Sequence, residues 1–257
     1  MISANKGNNS LLGKTAFLSG AGRNIGRAIA LELAAHQCNL VLNALKNQQD
    51  CDETAQLARA AGAPKVLVLI GNIGDRKRIL EITHEALFEF SRIDIAINNA
   101  SVRPKTPFLK MSDDDWYNIL DANLNSAFHL CRAFLPGMVE KNWGRIVNIT
   151  GRNAIEGYSE LVPVSVSKHG LWGMTKSLAK EFGSHGITSN AISPGVVRRI
   201  DQVGPEIERR TAMRVAEIPS GRIGEPEDIA ALTGFLCSNQ AKFINGQMIA
   251  SNGGAAT

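Results

Sequence analysis

Cysteine is scarce and dispersed in this chain. The four thiols, Cys38, Cys51, Cys131 and Cys237, include no C-x-x-C pair. That argues against a disulfide framework or a metal site, and for reduced thiols in a cytoplasmic protein. No apolar run reaches membrane-spanning length, so no membrane partner is expected. Residues Met1 to Ser10 have no apolar core and do not read as a signal peptide. The charge excess is only +4, with the 28 basic residues scattered. This excludes the concentrated basic footprint of a nucleic-acid binder. No linker, repeat or low-complexity tract divides the 257 residues. The expectation is one domain over residues 1–257, with a flexible tail over residues 1–11.

What is present is a core-forming composition, 44% apolar, and one informative stretch. The apolar run Thr15-Ala16-Phe17-Leu18 reads as a buried strand. It runs into Ser19-Gly20-Ala21-Gly22-Arg23-Asn24-Ile25-Gly26, after which Ala28, Ile29 and Leu33 recur at helical spacing up to His36. A strand, a glycine turn and a helix start form a site for a dinucleotide pyrophosphate. The helix end offers unpaired N–H groups and a positive dipole, and glycine lets the backbone approach the anion.

The rest alternates in the same way. Strands are expected at 39–43, 66–70, 93–97, 144–150, 187–192 and 247–250. Helices are expected at 50–61, 75–90, 112–140 (bent near Pro136), 162–182 and 226–237, with a charged, irregular stretch at 198–225. This alternation predicts an α/β fold, a doubly wound parallel sheet of about seven strands with helices on both faces.

Several local patterns carry a family resemblance. The glycine turn resembles the T-G-x-x-x-G-x-G turn of short-chain dehydrogenases/reductases, with Ser19 for Thr and Asn24 for the middle glycine. Asn is the side chain that best tolerates left-handed backbone. Asn98-Asn99-Ala100-Ser101 is similar to the family's N-N-A-G, and Asn123-Leu124 to its N-L dipeptide. Ser193-Pro194-Gly195, Gly221-Arg222-Ile223-Gly224, Ile244-Asn245-Gly246 and Gly253-Gly254 also fit. The resemblance spans roughly Leu12 to Gly254. It implies a Rossmann fold, a nicotinamide cofactor, a small-molecule substrate and a homodimer or homotetramer built on the two long helices, which are apolar over more than one face.

It also implies positions for the cofactor: Ser19, Gly20, Arg23, Asn24, Ile25 and Gly26 in the turn, and Lys46 after the second strand. Asn72 and Ile73 stand where Asp-Val usually meets the adenine. Asn99, Ala100, Lys168, Pro194, Gly195 and Val197 complete the set. An acid at the end of the second strand would repel a 2′-phosphate. Asn43-Ala44-Leu45-Lys46 has none, and Arg23 and Lys46 offer positive charge, so NADP(H) is favoured over NAD(H). The alternative is that both bases are solvated surface.

In such enzymes a Tyr hydroxyl, its pKa of about 10 lowered by a Lys four residues on, delivers the proton, and a Ser binds the carbonyl oxygen. Here Lys168 and Asn123 occupy their places. The Tyr position is Val164 and the Ser position Gly151, and neither side chain can donate. Tyr158 is a candidate substitute acid from the preceding loop, and Thr150 and Ser167 are candidate donors. Ser165, about 100° round the helix from Val164, should face away.

The stretches 149–151 and 162–170 are similar to 2,4-dienoyl-CoA reductases, which also lack that Tyr. Their substitute Tyr, fifteen residues before the Lys, corresponds here to Asn153. Three functions follow. One is an NADP(H)-dependent oxidoreductase with altered proton delivery, acting on a carbonyl or conjugated double bond. The others are a nucleotide-binding protein without turnover and a non-redox lyase or isomerase. Arg103, Lys105 and the arginines of 198–214 point to an anionic substrate, or to a solvated charged lid.

Overall fold

Each apolar run becomes one strand of a fully parallel sheet. In the computed structural model, which describes residues 11–201 and 204–256, the strands are β1 Thr15–Ser19, β2 Asn39–Ala44, β3 Val66–Ile70, β4 Ile95–Asn98, β5 Gly144–Ile149, β6 Ile187–Pro194 and β7 Met248–Ser251. Their order is β3-β2-β1-β4-β5-β6-β7. The chain winds outward from β1 to β3, then crosses back to β4, so direction reverses between β1 and β4. Leu18 of β1 pairs with Leu42 on one side and Ile97 on the other. A crevice at the carboxyl ends of strands flanking such a reversal is where this architecture binds ligands.

Helices α1 Asn24–Ala35, α2 Gln48–Ala61, α3 Arg76–Phe90, α4 Asp113–Leu120, α5 Ser126–Glu140, α6 Val162–Phe182, α7 Pro205–Val215 and α8 Pro226–Cys237 connect them. Side chains of a strand alternate between its faces. Ala16 and Leu18 therefore join one core with Ile29 and Leu33 of α1 and Ile229 and Leu236 of α8. Phe17 turns to the other, with Ile79 and Ile82 of α3 and Phe134 of α5. Both faces of the sheet are covered, as a parallel sheet requires. Among the described residues no helix is long and apolar enough to cross a membrane.

Three expectations are corrected. The helix expected over 112–140 is interrupted at the π-turn Asp121–Asn125, while Pro136 sits inside α5. The interruption falls at Asn123, 13 residues before the proline. The stretch 198–225 is not wholly irregular, because α7 lies within it. Gly204 precedes Pro205 at its first turn, and Glu206 pairs with Arg209 and Arg210. Of the tail expected over 1–11, residues 1–10 lie outside the described residues. Leu11 does not belong to a tail: it is 2% exposed and donates its N–H to the His36 carbonyl.

The opposite, amino-terminal edge of the sheet is tied by Asp94. Its carboxylate accepts from Thr15 N at 2.9 Å and from Arg92 Nε at 2.8 Å, with Lys14 Nζ at 3.9 Å.

Candidate functional site

The glycine turn is held from three sides at the carboxyl edge of the sheet. Ser19 Oγ accepts from the N–H groups of Asn99 and Ala100, each at 3.0 Å, and Asn99 Nδ2 donates to the carbonyls of Ser19 and Gly20. This locks β1 to β4 across the reversal point. From below, Arg27 and Thr54 both donate to the Gly22 carbonyl. At Gly26 a Cβ would overlap the Gly20 carbonyl oxygen, so only glycine permits the turn to close on α1. Asn24 takes the left-handed conformation, φ 49°, as its chemistry allows.

The start of α1 differs from its neighbours. α2, α3 and α4 are capped by Asn47, Asp75 and Ser112, whereas no side chain caps α1 and no acid lies in its first turn. Its first N–H groups are thus available to an anion. Ile25, half-buried, packs on the core below the turn.

The opposite wall follows β6. Gly195 N donates to Ser251, and Val197 forms a single parallel bridge with Gly224. Arg198 pairs with Glu225. Beyond it, Asp201 reaches across to the turn. Its carboxylate accepts from Arg199 at 2.8 Å and Arg23 at 3.1 Å, and from Asn24 Nδ2 at 3.2 Å. Arg199 and its companions hold the Asp201 carboxyl well below the usual range. Asn24 Oδ1 in turn accepts from Ile200 N.

Other expected positions are spread along the same edge. Lys46 is exposed just past β2, while Asn43 beside it is buried and donates to the carbonyls of Leu69 and Gly71. Asn72 is exposed and its side chain accepts from Gly74 N, whereas Ile73 is buried in the second core. Pro194 closes β6.

Deeper, the π-turn presents Asn123 inward. Its Oδ1 accepts from Val102 N at 2.8 Å, and its Nδ2 donates to Val102 O at 3.0 Å. This two-point clamp on the backbone after β4 is what the widened turn secures. Lys168 is 4% exposed, and its Nζ donates to the Ile149 carbonyl at 2.8 Å. Burial, and then the charge of Arg103, pushes its ammonium down to about 7.

Around Lys168 the hydroxyls are committed elsewhere. Thr150 Oγ1 donates to Ile192 O and Ser167 Oγ to Val164 O. Tyr158 OH donates to Glu156, itself paired with Arg152, and no hydrogen bond joins the phenol to Lys168 among the described residues. Burial raises the Tyr158 pKa, against the pull of Arg152, so this phenol is a poorer acid than a free one. Val164 is fully buried against Ile119 and Leu161. Gly151 has φ 131° and ψ 174°, a conformation open to glycine almost alone.

One cluster was not legible from the chain. Arg103 Nη2 donates to Asn153 Oδ1 at 3.1 Å, and Asn153 Nδ2 donates to Ser165 Oγ at 3.3 Å. Ser165 was expected to face away; instead it ends this chain of polar groups. Crowding by protein lowers the Arg103 guanidinium, the Tyr158 phenol opposing and Arg199 adding to it.

The same fold recurs in known proteins. A family model described as enoyl-(acyl carrier protein) reductase matches residues 20–256. The 3-oxoacyl-[acyl-carrier-protein] reductase FabG of Pseudomonas aeruginosa is 33% identical over 246 residues, 95% of this chain and 98% of the relative. That of Haemophilus influenzae is 34% identical, covering 94% and 98%. A Sinorhizobium meliloti protein provisionally described as a short-chain alcohol dehydrogenase superposes with a TM-score of 0.89 at 32% identity, covering 96% and 98%. An Agrobacterium tumefaciens protein provisionally described as a gluconate dehydrogenase gives 0.87 at 29%, with the same coverage. With relatives this similar across nearly its whole length, the chain belongs to the short-chain dehydrogenase/reductase family of oxidoreductases.

Proposed function

We propose that the protein is an NADP(H)-dependent oxidoreductase acting on a carbonyl or conjugated double bond of a small anionic substrate, with an altered route for the proton. The observation that carries this reading is the pairing of an uncapped α1 behind a tight glycine turn with a buried Lys168 pinned to the end of β5. These residues fit a nicotinamide dinucleotide. The α1 N-terminus and the turn backbone would hold the pyrophosphate, Arg23 and Lys46 the 2′-phosphate, and Lys168 the nicotinamide ribose. The cofactor, when bound, supplies or accepts the hydride.

The chain's own part is orientation and charge. Asn123 fixes the wall at Val102, Lys168 offers a proton-exchanging ammonium, and Val164 and Leu161 keep water from that side. The Pseudomonas aeruginosa and Haemophilus influenzae relatives act, by their descriptions, on 3-oxoacyl-[acyl-carrier-protein]; with Gly151 and Val164 lacking hydroxyls, ordinary ketone reduction is not this site's best-supported chemistry. Those two residues are also the specific observation behind the second reading, nucleotide binding without redox turnover or a lyase or isomerase reaction.

Titration with NADPH and NADH, followed by turnover assays on ketones and conjugated enones, separates these. Tighter NADPH binding with turnover supports the proposal. Equal or tighter NADH binding refutes the cofactor preference, and binding without turnover favours the second reading. The buried free thiols are consistent with a reducing cytoplasm. Exposed Tyr117, Phe128 and Val166 on α4, α5 and α6 support a homodimer or homotetramer, and a monomer by light scattering would overturn it.

A further inference from the structure

Arg103 stands out because nothing acidic answers its charge. Among the described residues the other arginines near the cleft have carboxylate partners: Arg23 and Arg199 share Asp201, Arg198 has Glu225 and Arg152 has Glu156. Arg103 has only the neutral Asn153 oxygen, through one Nη2–H. A guanidinium carries five donors in a planar fork, so most of its capacity is unspent.

Its placement is fixed rather than incidental. The preceding residue, Val102, is clamped at both backbone groups by Asn123. Asn153, which accepts from Arg103, is buried on the turn that follows β5 and is itself held by Ser165. The guanidinium therefore hangs between the end of β4, the end of β5 and the start of α6. That is the neighbourhood of Lys168, whose ammonium feels the Arg103 charge. Ser165, at the end of this chain of polar groups, lies three residues before Lys168 on α6, and neither Arg103 nor Lys168 has a carboxylate partner among the described ion pairs.

We infer that Arg103 is a specificity-determining residue that binds a free carboxylate of the substrate, so that the site takes a small oxo acid or unsaturated acid rather than a neutral ketone, ester or thioester. The inference rests on the oxidoreductase reading for its reaction but not for its binding. A carboxylate presents two oxygens to the fork and accepts two parallel hydrogen bonds. An ester or amide of the same acid offers no charge and leaves the cation unanswered. Lysine, a point charge on a flexible stem, reproduces the charge but not the fork.

The test compares small 2-oxo, 3-oxo and 2-enoic acids with their methyl esters, in the wild type, Arg103→Gln and Arg103→Lys. Oxamate and its neutral counterpart oxamide serve as unreactive ligands, titrated calorimetrically with and without NADP+. The expected result is wild-type preference for the acids of roughly 10²-fold or more in kcat/KM. Arg103→Gln should abolish most of that preference through KM, lower turnover of the acids far more than that of the esters, and lose oxamate binding. Arg103→Lys should recover part of it.

Equal effects of Arg103→Gln on acids and esters would overturn the inference, since the residue would then act on the reacting oxygen or on the fold. Wild-type preference for esters, or failure of oxamate to bind more tightly than oxamide, would also overturn it. Oxamate binding that depends on Arg103, without any NADPH turnover, would sustain the carboxylate site and count against the oxidoreductase reading instead.

Discussion

Gly151→Ser together with Val164→Tyr tests the proposal that these positions correspond to a Ser and a Tyr of the reaction and that the site works without them. The structure gives each change a cost. Around Gly151 a Cβ meets nothing within 4 Å, so space is not the obstacle. The obstacle is φ 131° with ψ 174°, where a side chain costs roughly 1–3 kcal/mol. Val164 is the reverse case. Its backbone is ordinary helix, but the side chain is fully enclosed by Ile119 and Leu161. Tyrosine there overpacks by roughly 1–3 kcal/mol.

The pair should therefore remove about 2–6 kcal/mol from a margin of roughly 5–15, and lower Tm by roughly 5–20 °C. Gly151→Ala is the control, because it meets the same backbone penalty without a hydroxyl. It should fall within about 0.5 kcal/mol of Gly151→Ser. Denaturation of each variant, then NADPH oxidation with simple ketones, completes the assay. The double variant should gain little activity. A neutral Gly151→Ser, with a double variant that gains the roughly 10²-fold or more of a working general acid, would refute this reasoning. It would mean the site had decayed without being rebuilt.

Lys168 has its pKa lowered from 10.5 to about 7, so between those values the unfolded chain binds the extra proton. Stability of the nucleotide-free protein should rise from pH 7 to 10.5 by up to about 5 kcal/mol from this group, and Lys168→Met should flatten that rise; parallel pH profiles would disprove it. Asp201→Asn removes a carboxylate from Arg23 and should lower the Kd for NADPH roughly 3–10-fold, more than for NADH, with the gain shrinking at high salt. Unchanged or weaker NADPH binding would show that Arg23 does not meet the 2′-phosphate. Asp94→Ala strips the acceptor of Thr15 N and the partner of Arg92 from a 1% exposed site. It should cost about 2–4 kcal/mol in urea unfolding, below the most severe buried pairs because both cations reach solvent, with Asp94→Asn costing less.

The parts of this fold that read directly from the chain are those whose causes are local. The β1–turn–α1 unit is set by an apolar run, glycines and helical spacing within about twenty residues, and Asn24 takes the backbone its side chain tolerates. α7 escaped a reading based on apolar periodicity because none of its residues is buried. Its Gly204-Pro205 start and Glu206–Arg210 spacing were the available signal. The sequence suggests a bend near Pro136 in the 112–140 helix, but the interruption lies at Asp121–Asn125. It carries Asn123, whose partners at Val102 lie 21 residues away. Contacts of that kind leave no mark on spacing. Arg103 and Asn153 are 50 residues apart, and Asn24 and Asp201 are 177 apart. Lys168 was legible as a residue, but its burial and lowered pKa depend on the packing of β5 against α6.

The backbone at Gly151 and the guanidinium of Arg103 meet at Asn153. After β5 the chain must turn sharply enough to bring Asn153 inward. It does so by placing residue 151 at φ 131° and closing the turn with Ala154 N donating to the Gly151 carbonyl at 2.8 Å. On that turn Asn153 is buried, accepts from Arg103 and donates to Ser165. A serine at 151 would pull the backbone toward ordinary φ values and shift the Asn153 amide with it. Three residues on the α6 side follow the same logic. Val164 fills its place with apolar volume, Ser165 supplies the acceptor for Asn153, and Ser167 spends its hydroxyl on the Val164 carbonyl. Among the described residues Asn153, Ser165 and Ser167 are hydrogen-bonded, whereas Arg152 Nε, next to Gly151, is buried without a partner.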